Sequence, residues 1–212
     1  MTPAEASVKS GEICRLAPVI PVLTVNDAAT APNLAKALVA GGLPALEVTL
    51  RTPAALDAIR AMADVEGGVV GAGTLLTPDD VIAAKEAGAQ FGVSPGATDA
   101  LLEAAEAAGL PILAGTSTPS EVMRLLERGY TVAKFFPAEA NGGAPALKAF
   151  AGPLPQMSFC PTGGVSLSNV HDYLSLPNTI CVGGSWVAPM DKIASKDWAG
   201  IETLAREAAA LT

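Results

Sequence analysis

The sequence predicts an α/β protein built as a single (β/α)8 TIM barrel. Three observations carry that expectation. Short strand-like runs alternate with helix-like runs from Pro18 to Pro189, the grammar of a parallel sheet with crossover helices. Half of the 212 residues are hydrophobic and the mean hydropathy is +0.40, as expected of strands covered on both faces. The first strand leads into Thr24-Val25-Asn26-Asp27-Ala28, without the glycines of a doubly wound dinucleotide-binding sheet, which is the alternative. Gly71-Ala72-Gly73 lies in the third unit and lacks the third glycine.

The elements follow in order. Strands are read at Val19–Val25, Ala45–Arg51, Val69–Thr74, Gln90–Ser94, Ile112–Gly115, Thr131–Phe136, Met157–Pro161 and Ile180–Gly183. Helical segments fall at Asp27–Gly41, Pro53–Val65, Pro78–Gly88, Thr98–Gly109, Pro119–Gly129 and Leu167–Leu176. Gly41, Gly88, Gly109 and Gly129 occupy helix C-cap positions, where a left-handed residue is favoured. Thr52-Pro53, Thr77-Pro78 and Thr118-Pro119 read as an N-cap followed by proline at the first helical position. The expected organisation is one domain, with an N-terminal helix at about 3–15, the barrel at about 18–189 and a C-terminal helix at about 200–211.

Charge and composition exclude several classes. The formal net charge is −8 with no Lys/Arg cluster, which argues against nucleic-acid and anionic-membrane partners. No apolar run reaches the roughly 18 residues of a spanning helix. The N-terminus lacks a basic segment followed by a long apolar one, so no signal peptide is read. Cys14, Cys160 and Cys181 are odd in number and widely spaced. They read as free thiols in the cytoplasm. The single histidine, His171, falls in a helical run, so neither a metal nor another cofactor is expected.

Chemistry concentrates in three stretches. Lys134 lies in the apolar run from Tyr130 to Phe136, on one face with Val132 and Phe136 by period-two alternation. Taking an ammonium out of water is costly; a neutral amine in its place can attack a ketone and form an iminium. The bland alternative is a packed stem with the head in water at the strand end. In the second strand, Leu46, Val48 and Leu50 share one face, while Glu47, Thr49 and Arg51 share the other. If the apolar face meets the helices, the polar face points into the barrel, where its groups need partners. Either Glu47 and Arg51 form a structural ion pair, or Glu47 is a proton shuttle for the amine. The last two units carry Thr162-Gly163-Gly164 and Gly183-Gly184-Ser185. Barrels often hold phosphate there, with backbone amides approaching its oxygens; the alternative is two plain turns. Thr74 and Pro95 end the third and fourth strands. Thr74 could meet a ligand oxygen or cap the next helix, and Pro95 could simply shape its loop.

Taken together, LEVTLRT, GAGTLL, SPG, KFFPAEANGG, FCPTGG and VGGSW resemble the 2-keto-3-deoxy-6-phosphogluconate (KDPG) and 2-keto-4-hydroxyglutarate (KHG) aldolase family, in the same order along nearly the whole chain. The resemblance implies a class I aldolase that splits KDPG into pyruvate and glyceraldehyde 3-phosphate in the Entner–Doudoroff pathway. It assigns Lys134 as the Schiff-base lysine and Glu47 as the proton-transfer group. Arg51 and Thr74 would hold the pyruvate carboxylate. Thr162, Gly163, Gly164, Gly184 and Ser185 would take the phosphate end, with Pro95 and Phe136 packing the substrate. A homotrimer is implied. The alternatives are a phosphate-binding isomerase or epimerase using Glu47 as base, an aldolase for the C4-epimeric phosphogalactonate, and a non-catalytic sugar-phosphate binder.

Overall fold

A computed structural model describes residues 1–211. The chain opens with helix α1 (Pro3–Cys14), started by a reciprocal Thr2–Glu5 capping box. Strand–helix pairs follow: β1 (Val19–Leu23) and α2 (Ala31–Ala40), β2 (Ala45–Thr49) and α3 (Ala55–Ala63), β3 (Val69–Gly73) and α4 (Pro78–Glu86), and β4 (Phe91–Val93) and α5 (Asp99–Ala108). Two short strands, β5 (Ile112–Leu113) and β6 (Gly115–Thr116), precede α6 (Pro119–Arg128). The remaining elements are β7 (Val132–Phe135), α7 (Gly143–Phe150), β8 (Ser158–Pro161), α8 (Val170–Leu174), β9 (Val182–Gly184), α9 (Met190–Ser195) and α10 (Trp198–Ala209).

The strands pair in parallel as two curled sheets, ordered β5-β4-β3-β2-β1-β9 and β6-β7-β8. The expected uninterrupted ladder of eight strands is therefore not formed. The run from Ile112 to Thr116 divides at Ala114, whose carbonyl accepts from the Lys134 amide at 2.9 Å. On the other side only isolated bridges, Phe159 with Thr179 and Thr162 with Gly183, link the β8 region to β9.

Alternation sorts the side chains as the pattern requires. Leu46 and Val48 join the large core between sheet and helices, with Leu34, Leu38, Ile59 and Met62. Ala45 instead joins a second cluster inside the curl, with Ile20, Phe91, Val93, Leu113 and Val132. Cys14, Cys160 and Cys181 complete that inner cluster as free, buried thiols. The Cys181 thiol is pushed up by the neighbouring Cys14 and Cys160 thiols and further by burial. Few aromatics are available, so small and branched side chains fill the space.

The helix ends correct two sequence readings. Gly109 and Gly129 are left-handed C-caps, and Gly88 follows α4 with φ 95°. Gly41, however, is right-handed, and Gly42 takes the positive φ. A Cβ at Gly41 would lie 2.4 Å from the Ala205 Cβ. Glycine is there because α10 packs directly on α2. Thr52 does not cap a helix, since α3 starts at Ala55 behind an uncapped Ala54. Its hydroxyl donates to the Val25 carbonyl instead. The N-terminal helix ends at Cys14 and the C-terminal one spans Trp198–Ala209, within two residues of expectation.

Thr77 and Thr118 both make full capping boxes. The Thr118 amide donates to Glu121 at 2.8 Å, and the Glu121 amide donates back to the Thr118 hydroxyl at 3.4 Å. Thr118→Ala should cost about 1 kcal/mol, lowering the melting temperature by roughly 2–4 °C at this chain length. Thermal denaturation of the variant checks this; an unchanged transition would mean the cap adds nothing.

Candidate active site

β2 and β7 belong to different sheets, yet both send a charged side chain into the enclosed space. Lys134 Nζ lies 3.6 Å from Glu47 Oε1, with both side chains about 95% out of water. Register fixes the two depths. Glu47 stands beside Val22 and Gly71, and Lys134 beside Gly115 and Cys160. Two burial penalties are offset here by one contact, so neither group tolerates loss of the other. The ammonium also lies 4.8 Å from the centroid of the Phe136 ring, a favourable cation–π distance.

Space for the carboxylate comes from β3. A Cβ at Gly73 would fall 2.2 Å from Glu47 Oε1, so glycine at that position admits the acid. The next residue, Thr74, holds φ 63°. A β-branched residue rarely adopts that conformation, and such strain collects at functional sites.

A cavity of about 490 Å³ adjoins the pair through Phe136, whose ring Lys134 faces, and Val22, the register partner of Glu47, although neither Lys134 nor Glu47 is among its lining residues. Arg51, Phe136, Thr162, Gly163, Gly164, Gly184 and Ser185 line it. β2 ends at Thr49, so Arg51 reaches the cavity from the following turn and not from the strand. The alternative Glu47–Arg51 ion pair is absent; Glu47 faces Lys134, and Arg51 makes no ion pair among the described residues. An unpaired guanidinium facing a cavity suits an anionic group. Thr74 and Pro95 stand outside the cavity lining. Pro95 packs against Gly115, where a Cβ would lie 2.2 Å from the proline carbonyl.

The two Gly-Gly loops work differently. Gly163 and Gly164 have φ 96° and 82°, so their conformation needs glycine. The amides of Gly164 and Val165 donate to no protein group among the described residues, and both residues line the cavity. Gly183 and Gly184 are required by neighbours. A Cβ at Gly183 would lie 2.3 Å from Thr162 Oγ1, and one at Gly184 would lie 1.8 Å from the Trp186 ring. A side chain at Gly184 would thus run into Trp186, while the glycine itself lines the cavity.

Sequence reasoning missed Thr24 and Met190, which also line the cavity. Thr24 was available from the alternation that turns Ile20 inward. Its hydroxyl lies 3.5 Å from that of Thr49, which donates to the Leu23 carbonyl at 2.8 Å. Met190 begins α9, a six-residue helix too short to announce itself by periodicity.

The family description covering KDPG and KHG aldolases matches residues 11–204. The chain belongs to this family. A KHG/KDPG aldolase of Escherichia coli strain K12 is 50% identical over 208 residues, covering 98% of this chain and 95% of its own length. The crystal structure of the KDPG aldolase from Zymomonas mobilis ATCC 29191 superposes with a TM-score of 0.91 at 50% identity, covering 95% of this chain and 96% of that one. That of the Legionella pneumophila KDPG aldolase, with pyruvate captured as a covalent carbinolamine, gives 0.91 at 43% identity, covering 94% and 98%. Among KDPG and KHG aldolases, then, the present chain shares the curled parallel α/β architecture and nearly the full length.

Gly184→Val forces a branched side chain into the Trp186 ring. Overpacking of this kind costs about 1–3 kcal/mol, so melting should fall by roughly 3–10 °C at this size, whereas Ser185→Ala should leave melting nearly unchanged. Scanning calorimetry of the two variants separates a packing glycine from a ligand-facing one. An unshifted Gly184→Val transition would refute the packing account.

Proposed function

We propose that this chain is a KDPG aldolase that also cleaves KHG, with Lys134 as the amine nucleophile and Glu47 as the proton-transfer group. One observation carries the reading: a lysine and a carboxylate are both buried and 3.6 Å apart, and the lysine faces Phe136, which lines a cavity that also holds an unpaired arginine. The Lys134 amine adds to the C2 ketone, giving a carbinolamine, and loss of water gives an iminium. The positive nitrogen draws electrons from the C3–C4 bond as Glu47, through a water, takes the proton of the C4 hydroxyl. Glyceraldehyde 3-phosphate leaves. The enamine gains a proton at C3, and hydrolysis releases pyruvate and the free amine. Covalent catalysis replaces one difficult carbanion step with easier ones.

Arg51 and Thr74 are read as holding the pyruvate carboxylate. Thr162, Gly163, Gly164, Gly184 and Ser185 are read as the phosphate end, with Phe136 and Pro95 packing the substrate. The unpartnered amides of Gly164 and Val165 support phosphate there. The two sheets are read as one (β/α)8 barrel domain, with α1 and α10 added at its ends. The isolated bridges near β9, and the single residue that separates β5 from β6, support this closure. No described helix is long and apolar enough to cross a membrane. Free buried cysteines fit a cytoplasmic protein. Exposed Leu76, Ile82 and Met123 offer apolar surface for the implied homotrimer.

Trapping with pyruvate and borohydride tests the nucleophile. Intact mass should rise by one reduced pyruvyl adduct per chain, mapping to the Lys134 peptide. Labelling elsewhere, or none, overturns the assignment. Lys134→Arg should abolish turnover, because a guanidinium stays protonated.

Glu47→Gln keeps the size and removes the base. Steady-state turnover should drop roughly 10²- to 10⁴-fold, with pyruvate trapping on Lys134 reduced less. Cleavage at near-normal rates would leave Glu47 as a charge partner only.

A further inference from the structure

Phosphate-binding loops need their amides turned outward, and something must hold the carbonyls turned the other way. In the loop after β8, three successive carbonyls are tied to protein. Thr162 O accepts from the Ala138 amide at 2.8 Å, and Gly163 O accepts from the Glu139 amide at 3.0 Å. Gly164 O accepts from Asn169 Nδ2 at 3.0 Å. Asn169 is itself oriented, because its Oδ1 accepts from the Ser166 amide at 2.8 Å. This second bond fixes which end of the Asn169 amide faces Gly164.

Glu139 supports the same loop from beneath. Its stem fills the space where a Cβ at Gly164 would lie, 2.5 Å from Glu139 Cγ. Its carboxylate accepts from the Tyr173 hydroxyl. Tyr173 is fully buried, and burial together with the neighbouring acid holds its hydroxyl protonated as a donor. Glu139 and Asn169 thus grip opposite sides of the glycine pair, from the segment after β7 and from the start of α8.

We propose that Asn169, together with the Glu139–Tyr173 pair, positions the Thr162–Val165 loop for the substrate phosphate by locking its carbonyls away from the cavity. Neither residue lines the cavity, so both act through the loop and neither is catalytic. The inference rests on the phosphate reading of the loop given above. Loss of a positioning bond lets the peptide planes rotate and weakens binding of the phosphorylated end, while Lys134 and Glu47 are untouched. It is a preorganisation effect, seen in binding of one substrate class.

Asn169→Asp tests this most sharply, because it puts a carboxylate oxygen against the Gly164 carbonyl at unchanged shape. Tyr173→Phe is the gentler variant, and Ser185→Ala the control for the phosphate reading itself. KM and kcat are measured on KDPG and on KHG, which has no phosphate, with inorganic phosphate as competing probe and melting followed alongside. Expected for Asn169→Asp is a KM for KDPG raised roughly 3- to 10-fold, the range of one hydrogen bond, with weaker inhibition by phosphate. KHG cleavage and both kcat values should stay within about twofold, inside the spread of a surface change. Tyr173→Phe should move the same parameters by less. If Ser185→Ala is selective for KDPG but Asn169→Asp and Tyr173→Phe are not, the positioning role is overturned and the phosphate reading stands. Equal losses on both substrates for Asn169→Asp also overturn it, since a merely structural role predicts them. No selectivity in any variant removes the phosphate reading and this inference with it.

Discussion

Everything in this molecule is arranged around one contact between opposite charges that water barely reaches. Lys134 and Glu47 arrive from different sheets and meet at 3.6 Å. Burial of either alone would be strongly unfavourable. Together they are tolerable, though such pairs are weak sources of stability and better explained by what they do. The surrounding choices serve the pair. Gly73 vacates the volume that the carboxylate fills, Phe136 covers the ammonium, and the small inner cluster supports both from below. Stability comes from elsewhere, chiefly the apolar layer between strands and helices.

On the proposed reading, the cavity beside the pair divides its labour between charge and backbone. Arg51 supplies a lone cation from a turn, while the loop after β8 supplies amides. A guanidinium is strongly directional and suits a planar carboxylate. Clustered amides carry only partial charges but stay fixed without a flexible side chain. The two kinds of recognition therefore suit the two ends of a substrate that is anionic at both.

Much of this was legible in the sequence, and the reasons are local. Alternation in Ala45–Arg51 placed Glu47 inward and Leu46 outward, because a strand has a period of two. The strand ends were less legible. Leu50 and Arg51 continue the pattern but leave the strand, since alternation does not report where a ladder's hydrogen bonds stop. The interruption at Ala114 was invisible for the same reason: Ile112 and Leu113 pair with β4, while Gly115 and Thr116 pair with β7. Glycines misled where one signal had two causes. Gly41 and Gly184 were read as backbone positions, yet each is glycine because a neighbouring side chain or helix occupies its Cβ volume. The partner of Glu47 depended on register across two sheets, which no single segment encodes. Nor did the sequence point to Asn169 or Glu139, whose roles lie in bonds to a loop carbonyl and to a tyrosine from another helix.

The lone guanidinium of Arg51 also has a kinetic meaning in a chain of net charge −8. An anion approaching from afar meets the repulsion of the whole molecule and feels the arginine and the loop amides only at the cavity mouth. At 0.15 M salt the screening length is about 8 Å, shorter than the approach but longer than the final contacts. Added salt thus removes the long-range barrier before it weakens the short-range attraction. Encounter with an anion should be helped by moderate ionic strength, the reverse of the behaviour of enzymes whose surfaces steer substrates inward.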